Sequence, residues 1–116
     1  AVKEKFNEIN IDTSNYENVY LIGFGKASIG MSKAISDSIK IKNGIIITND
    51  KIKKEKNKNI STIVGGHPLP NKNSINGAKK ILKLIKKCTI NDLLFILYTR
   101  NSNLYLNNCY FSVFFL

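Results

Sequence analysis

The chain has 116 residues, 43% apolar and 22% charged, which suits one domain with one core. No apolar run approaches the ~20 residues of a membrane span, the start Ala1-Val2-Lys3-Glu4 is unlike a secretory signal, and Cys88 and Cys109 make neither a disulfide framework nor a zinc site. The net charge of +10 invites a nucleic-acid partner, but Arg100 is the one arginine among eighteen basic residues, so the excess lysine reads as solvated surface of a cytoplasmic domain.

In chain order, residues 3–8 read as the end of a helix, Ile9-Asn10-Ile11 as a short strand, and Asp12-Thr13-Ser14-Asn15 as a turn. Val19-Tyr20-Leu21-Ile22 is a continuous apolar run, the pattern of a strand covered on both faces. It stops at Gly23-Phe24-Gly25-Lys26, after which Ala27, Met31, Ala34, Ile35 and Ser38 recur at helical spacing, predicting a helix over 27–40 ended by Asn43-Gly44. Ile45–Thr48 is the next strand, and the lysine-rich stretch 49–59 an exposed excursion.

A third strand, Ile60–Val64, runs into Gly65-Gly66-His67-Pro68-Leu69-Pro70, where two prolines enforce an extended loop. Asn73 or Ser74 then caps a helix over 74–88. Its apolar stripe is expected at Ile75, Ala78, Ile81, Leu82 and Ile85, with Lys79, Lys80, Lys83, Lys86 and Lys87 facing water. Asn91-Asp92 turns the chain into a fourth buried strand, Leu93–Leu97, and the single aspartates Asp12, Asp37, Asp50 and Asp92 read as caps and solvated positions. Alternating strands and helices predict an α/β fold, a three-layer, mostly parallel, Rossmann-like sheet. Loops 23–26 and 65–70 each follow a strand and belong at the carboxyl edge, where such sheets bind ligands.

Gly23-Phe24-Gly25-Lys26-Ala27-Ser28 departs from the dinucleotide fingerprint, because Ser28 replaces the third glycine. It departs from the P-loop as well, because Ala27 replaces the hydroxyl residue. An anion still suits it: side-chain-free glycines, helical N–H groups and the Lys26 ammonium share one place. On local grounds a plain tight turn with a surface lysine fits equally well. His67, the one histidine, either contacts a substrate oxygen or locks its loop. No carboxylate pair or metal-ligand cluster is present in the sequence, so no metal site is assigned.

Taken together, Val19–Ser28 and, some forty residues on, Gly65-Gly66-His67-Pro68-Leu69-Pro70-Asn71 resemble the amino-terminal domain of the glycerate 2-kinase family, the two-domain class with a MOFRL region. The likeness runs from about Tyr16 through Leu97. It implies an ATP-dependent kinase of D-glycerate with magnesium, acting in a cleft between two α/β domains. It further implies a catalytic role for Lys26, substrate or phosphate contacts at Gly23, Gly25, Gly65, Gly66 and His67, and a carboxyl-terminal domain as partner. The pattern breaks after the fourth strand: where the family has a glycine-rich loop, this chain has Tyr98-Thr99-Arg100-Asn101-Ser102-Asn103, and no glycine follows Gly77. All seventeen lysines fall within 3–87.

Residues 1–98 therefore read as a partial kinase domain and 99–116 as an aberrant apolar tail, translated out of frame, in a fragment inactive alone. Two alternatives come from other classes. One is a small basic nucleic-acid module using the lysines of 51–58 and of the helix that follows. The other is a hydroxypyruvate reductase, against which the missing third glycine counts.

Overall fold

The computed structural model describes residues 12–49, 57–65, 71–99 and 109–115, with Thr99 and 109–115 as backbone only. Strand and helix alternate through β1 (Asn18–Phe24), α1 (Ala27–Ser36), β2 (Asn43–Thr48), β3 (Ile60–Val64), α2 (Lys72–Lys87) and β4 (Asp92–Thr99), followed by β5 (Cys109–Phe115). The expected helix end at 3–8, the strand at 9–11, residues 50–56 of the lysine-rich excursion, and Gly66, His67 and both prolines lie outside the described residues.

One sheet runs β3-β2-β1-β4-β5. The first four strands are parallel, and β5 lies antiparallel on β4, with Leu93 opposite Phe115 and Thr99 opposite Cys109. The residues expected to form a tail thus include an edge strand. Alternation along β1 and β4 divides the core into two layers. Leu21, Leu93, Phe95 and Leu97 pack with Met31, Ile35 and Ile39 on the α1 side, while Tyr20, Ile22 and Leu94 pack with Ile81 and Leu84 on the α2 side. This is the three-layer α/β arrangement expected from the strand runs.

Five local features differ from the sequence reading, each for a physical reason. Helix α1 ends at Ser36 rather than residue 40, and its last turn closes through Asp37 N–H to the Lys33 carbonyl at 3.0 Å. Asn43 and Gly44 open β2 instead of capping that helix. The Gly44 N–H donates to the Asn59 carbonyl at 2.9 Å, and a Cβ there would stand 3.2 Å from the Leu21 carbonyl oxygen, so glycine serves close strand approach. The cap of α2 is Asn71, which accepts the Ser74 N–H at 3.0 Å while Ser74 Oγ accepts the Asn71 N–H at 3.3 Å, a reciprocal capping box.

The buried stripe of α2 is also rotated from the expected one. Gly77, Ile81 and Leu84 face the sheet, whereas Ile75, Leu82 and Ile85 are exposed. Gly77 is the cause: a Cβ there would lie 2.7 Å from Ile47 Cδ1, so its bare backbone lets the helix settle on β2. The five predicted lysines of α2 do face water. In α1, Ser28 and Ser32 are buried with the apolar residues, their hydroxyls donating to the Gly25 and Ile29 carbonyls. The helix thereby lies flat on the sheet without leaving those hydroxyls unpaired.

Asp92, expected as a cap or a solvated position, is buried. Burial raises its carboxyl pKa, but the bonds it accepts outweigh that and hold it below the ordinary value. These come from Thr89 N–H at 2.8 Å, the Asn18 amide at 3.0 Å and the Thr89 hydroxyl at 3.2 Å. A depressed carboxylate stabilises the fold above the unfolded pKa of about 3.9 and loses that contribution as pH falls through the folded value. Asp92→Asn is expected to lower stability by about 1–3 kcal/mol at pH 7. Urea titrations of both chains at pH 7 and pH 3 check this, and the gap between them narrows at the lower pH.

Candidate functional site

Because β1, β2, β3 and β4 are parallel, the turns that follow β1 and β3 open on the same edge of the sheet, as the sequence requires. The chain travels outward from β1 to β3 and then returns to β4 on the far side of β1. The strand order therefore reverses between β1 and β4. In open α/β sheets a crevice forms at that reversal, and Gly25 and Lys26 sit directly beyond β1 there. The two glycine turns do not leave adjacent strands: β2 lies between β1 and β3, a separation of roughly 10 Å at about 4.8 Å per strand.

Gly25 has φ 87°, a conformation that costs an L side chain energy, and its N–H donates to the Ile47 carbonyl at 2.8 Å. Gly23 allows α1 to touch the strand end, since a Cβ there would be 2.9 Å from Ser28 Cβ. Gly65 plays the matching part for α2: its N–H donates to the Thr48 carbonyl at 2.8 Å, and a Cβ would meet Ser74 Oγ at 2.9 Å. Both helices thus begin at the same edge, with their positive dipole ends toward it. Replacing Gly25 with alanine is expected to cost about 1–2 kcal/mol through the positive φ alone. A shift in urea midpoint with unchanged m-value checks it.

The two helix starts differ in one respect. Asn71 and Ser74 cap α2, whereas at α1 the N-cap position is held by Lys26, no side chain caps the terminus, and no acidic residue stands in the first turn. A cation at the positive end of a helix is unfavourable by about 0.3–1 kcal/mol, and an anion bound there reverses the sign. The arrangement can therefore hold a phosphate or a carboxylate between the Lys26 ammonium and the first N–H groups of α1.

Of the residues the sequence nominates, the structure brings Gly23, Gly25 and Lys26 to one turn and Gly65 to the same edge, while Gly66 and His67 fall outside the described residues. Sequence reasoning missed the part played by Ser28, whose hydroxyl pins the Gly25 carbonyl, and by Asn71, which joins the nominated Ser74 in fixing the start of α2 against Gly65. Their signal was present: a serine three residues after Gly25, and an Asn-x-x-Ser spacing. Two cavities of about 300 Å³ and 170 Å³ lie at the opposite edge, one beside Asn18, Val19, Lys40 and Lys42, the other beside Asn43, Ser61, Lys80 and Lys87. Neither touches Lys26. Among the described residues no group of three or more His, Cys, Asp or Glu converges to hold a metal, and no helix is long and apolar enough to cross a membrane.

Comparison with known proteins accords with this architecture. The family described as a domain of unknown function, DUF4147, matches residues 1–103. A protein named glycerate 2-kinase from Pyrococcus horikoshii is 37% identical over 100 residues, covering 84% of this chain and 22% of the relative. One named D-glycerate 2-kinase from Thermotoga maritima is 31% identical over 108 residues, covering 90% of this chain and 25% of the relative. A crystal structure of a Pyrococcus horikoshii OT3 protein superposes with a TM-score of 0.65 at 38% identity, over 71% of this chain and 19% of that one. The chain spans about a quarter of the length of the curated relatives it matches. With that likeness, and with its glycine turn at the strand reversal, the chain belongs to the DUF4147 family, as the amino-terminal part of glycerate 2-kinases does.

Proposed function

We propose that this chain supplies the anion-binding half of an ATP-dependent kinase of D-glycerate. The observation that carries the reading is the start of α1: an uncapped helix terminus with Lys26 at its N-cap, behind a glycine at φ 87°, at the strand reversal. Both named relatives point to glycerate as the acceptor.

Phosphoryl transfer asks a protein chiefly to hold two oxygens in line and to offset negative charge spreading over the moving group. Lys26 and the α1 terminus can hold either the glycerate carboxylate or the phosphoryl oxygens. Gly23 seats the start of α1 against the strand end, and Gly25 makes the turn that presents that start to the edge. Gly65, on the same edge, stands in this reading as a further substrate or phosphate contact, together with Gly66 and His67. The described residues fit an anion but offer no carboxylate cage for magnesium, so the ion is assigned no step here. ATP would supply the phosphoryl group, and the opposite wall of the cleft belongs to the rest of a family-length chain.

The test joins this chain covalently to the portion of the Pyrococcus relative outside the matched 100 residues. ADP release is then followed with and without D-glycerate. Glycerate-dependent ADP release by the chimera, and none by the chain alone, is the expected result. A chimera that is folded by circular dichroism yet turns over ATP without regard to glycerate overturns the assignment. Resequencing the locus and translating the other frames tests the separate proposal that 99–116 is out of frame.

A further inference from the structure

We infer that the outward flank of α2, with the adjoining ends of β1 and β4, is the seat of an apolar segment bordered by acidic residues, contributed by the remaining three quarters of a family-length chain. The inference rests on family membership and is independent of the kinase chemistry.

A helix is about 10 Å across and strands lie about 4.8 Å apart, so one helix covers about two strands. On its face of the sheet α2 packs on β2 and β3. Ile22 and Ile96 lie in the α2-side core, so Phe24 and Tyr98, two positions further along β1 and β4, share that face, and they remain 42% and 38% exposed. On α2 itself Ile75, Leu82 and Ile85 are 55%, 57% and 41% exposed, with Ala78 among them. At 3.6 residues per turn these four occupy roughly a quarter of the helix circumference, next to the buried Ile81. The opposite flank carries Lys80, Lys83 and Lys87, which line the cavity over Asn43 and Ser61 of β2 and β3. The apolar flank therefore lies on the side of β1 and β4, where Tyr20, Ile22 and Leu94 are buried in the sheet's middle but the strand ends at Phe24 and Tyr98 stay exposed.

Charge and length select the occupant. Lys79 and Lys86 border the apolar flank, and α2 contains no acidic residue. Pairing two copies through this flank would set lysine against lysine, whereas a segment with acidic borders complements it. The curated relatives carry about three quarters of their length beyond the region this chain matches, so a family-length polypeptide has the length to provide such a segment itself.

The test measures thiol labelling by maleimide, read peptide by peptide in a mass spectrometer, at Leu82→Cys and separately at Lys80→Cys. Each is placed both in this chain and in the covalent chimera described above. Leu82→Cys is expected to label at least tenfold more slowly in the chimera than in the chain alone, while Lys80→Cys labels alike in both. Equal rates at Leu82→Cys overturn the inference. So does slowing of the same size at both positions, or slowing in the chain alone that grows with protein concentration, which would make the occupant a second copy.

Discussion

Lys26→Ala in the covalent chimera is expected to lower kcat for glycerate-dependent ADP release by about a hundredfold or more, the usual consequence of removing a preorganised charge from a site of developing negative charge. A hundredfold corresponds to about 2.7 kcal/mol of barrier. A lysine at the start of α1 opposes the helix dipole, so its removal lifts one unfavourable contribution, and the urea midpoint reads that gain against the loss of the contacts the side chain makes. The informative comparison is therefore kcat and KM against the urea midpoint. A fall in activity with an unchanged or raised midpoint assigns Lys26 to anion binding. Near-normal turnover refutes the role, and an equal loss of stability would make the residue structural.

Phe95→Ala is expected to have the largest effect on stability. Phe95 is fully buried in β4, between β1 and β5, within the cluster that includes Leu21, Met31, Ile35 and Leu97. Removing a ring from such a site leaves a cavity and costs about 3–5 kcal/mol. Total stabilities of small domains are about 5–15 kcal/mol, so the variant should be partly unfolded at moderate temperature. Thermal melts followed by circular dichroism at two urea concentrations check this.

The sheet was legible because its strands announce themselves. Val19–Ile22, Ile45–Ile47 and Leu93–Leu97 are unbroken apolar runs, which need cover on both faces, and that requirement alone implies a three-layer arrangement. The face of α2 was not legible. Its apolar residues span about half the helix circumference, so periodicity admits more than one buried stripe, and the choice falls to Gly77 meeting Ile47, a contact between distant parts of the chain. Gly44 misled for a related reason: a glycine after a helix suggests a cap until its strand partners are known. The burial of Asp92 was not legible because the groups that satisfy it include Asn18, some seventy residues away in the sequence. At the site, the glycine turn and Lys26 could be read from their residue types. The lack of a cap on α1, and the position of its start at the strand reversal, required the strand order.

The pairing of Asn18 with Asp92 and of Val19 with Leu93 has a consequence for how the molecule is made. β1 leaves the ribosome before β4, and that lateral partner is encoded some seventy residues later. Closing so long a loop is slow compared with making a helix or a local pair. A nascent chain can join β1 to β2 and β3 while the other side of Val19–Ile22 still waits. Until β4 arrives, that unpaired border is the place where a growing polypeptide of this family is most vulnerable to sticking to its neighbours, and most in need of a chaperone.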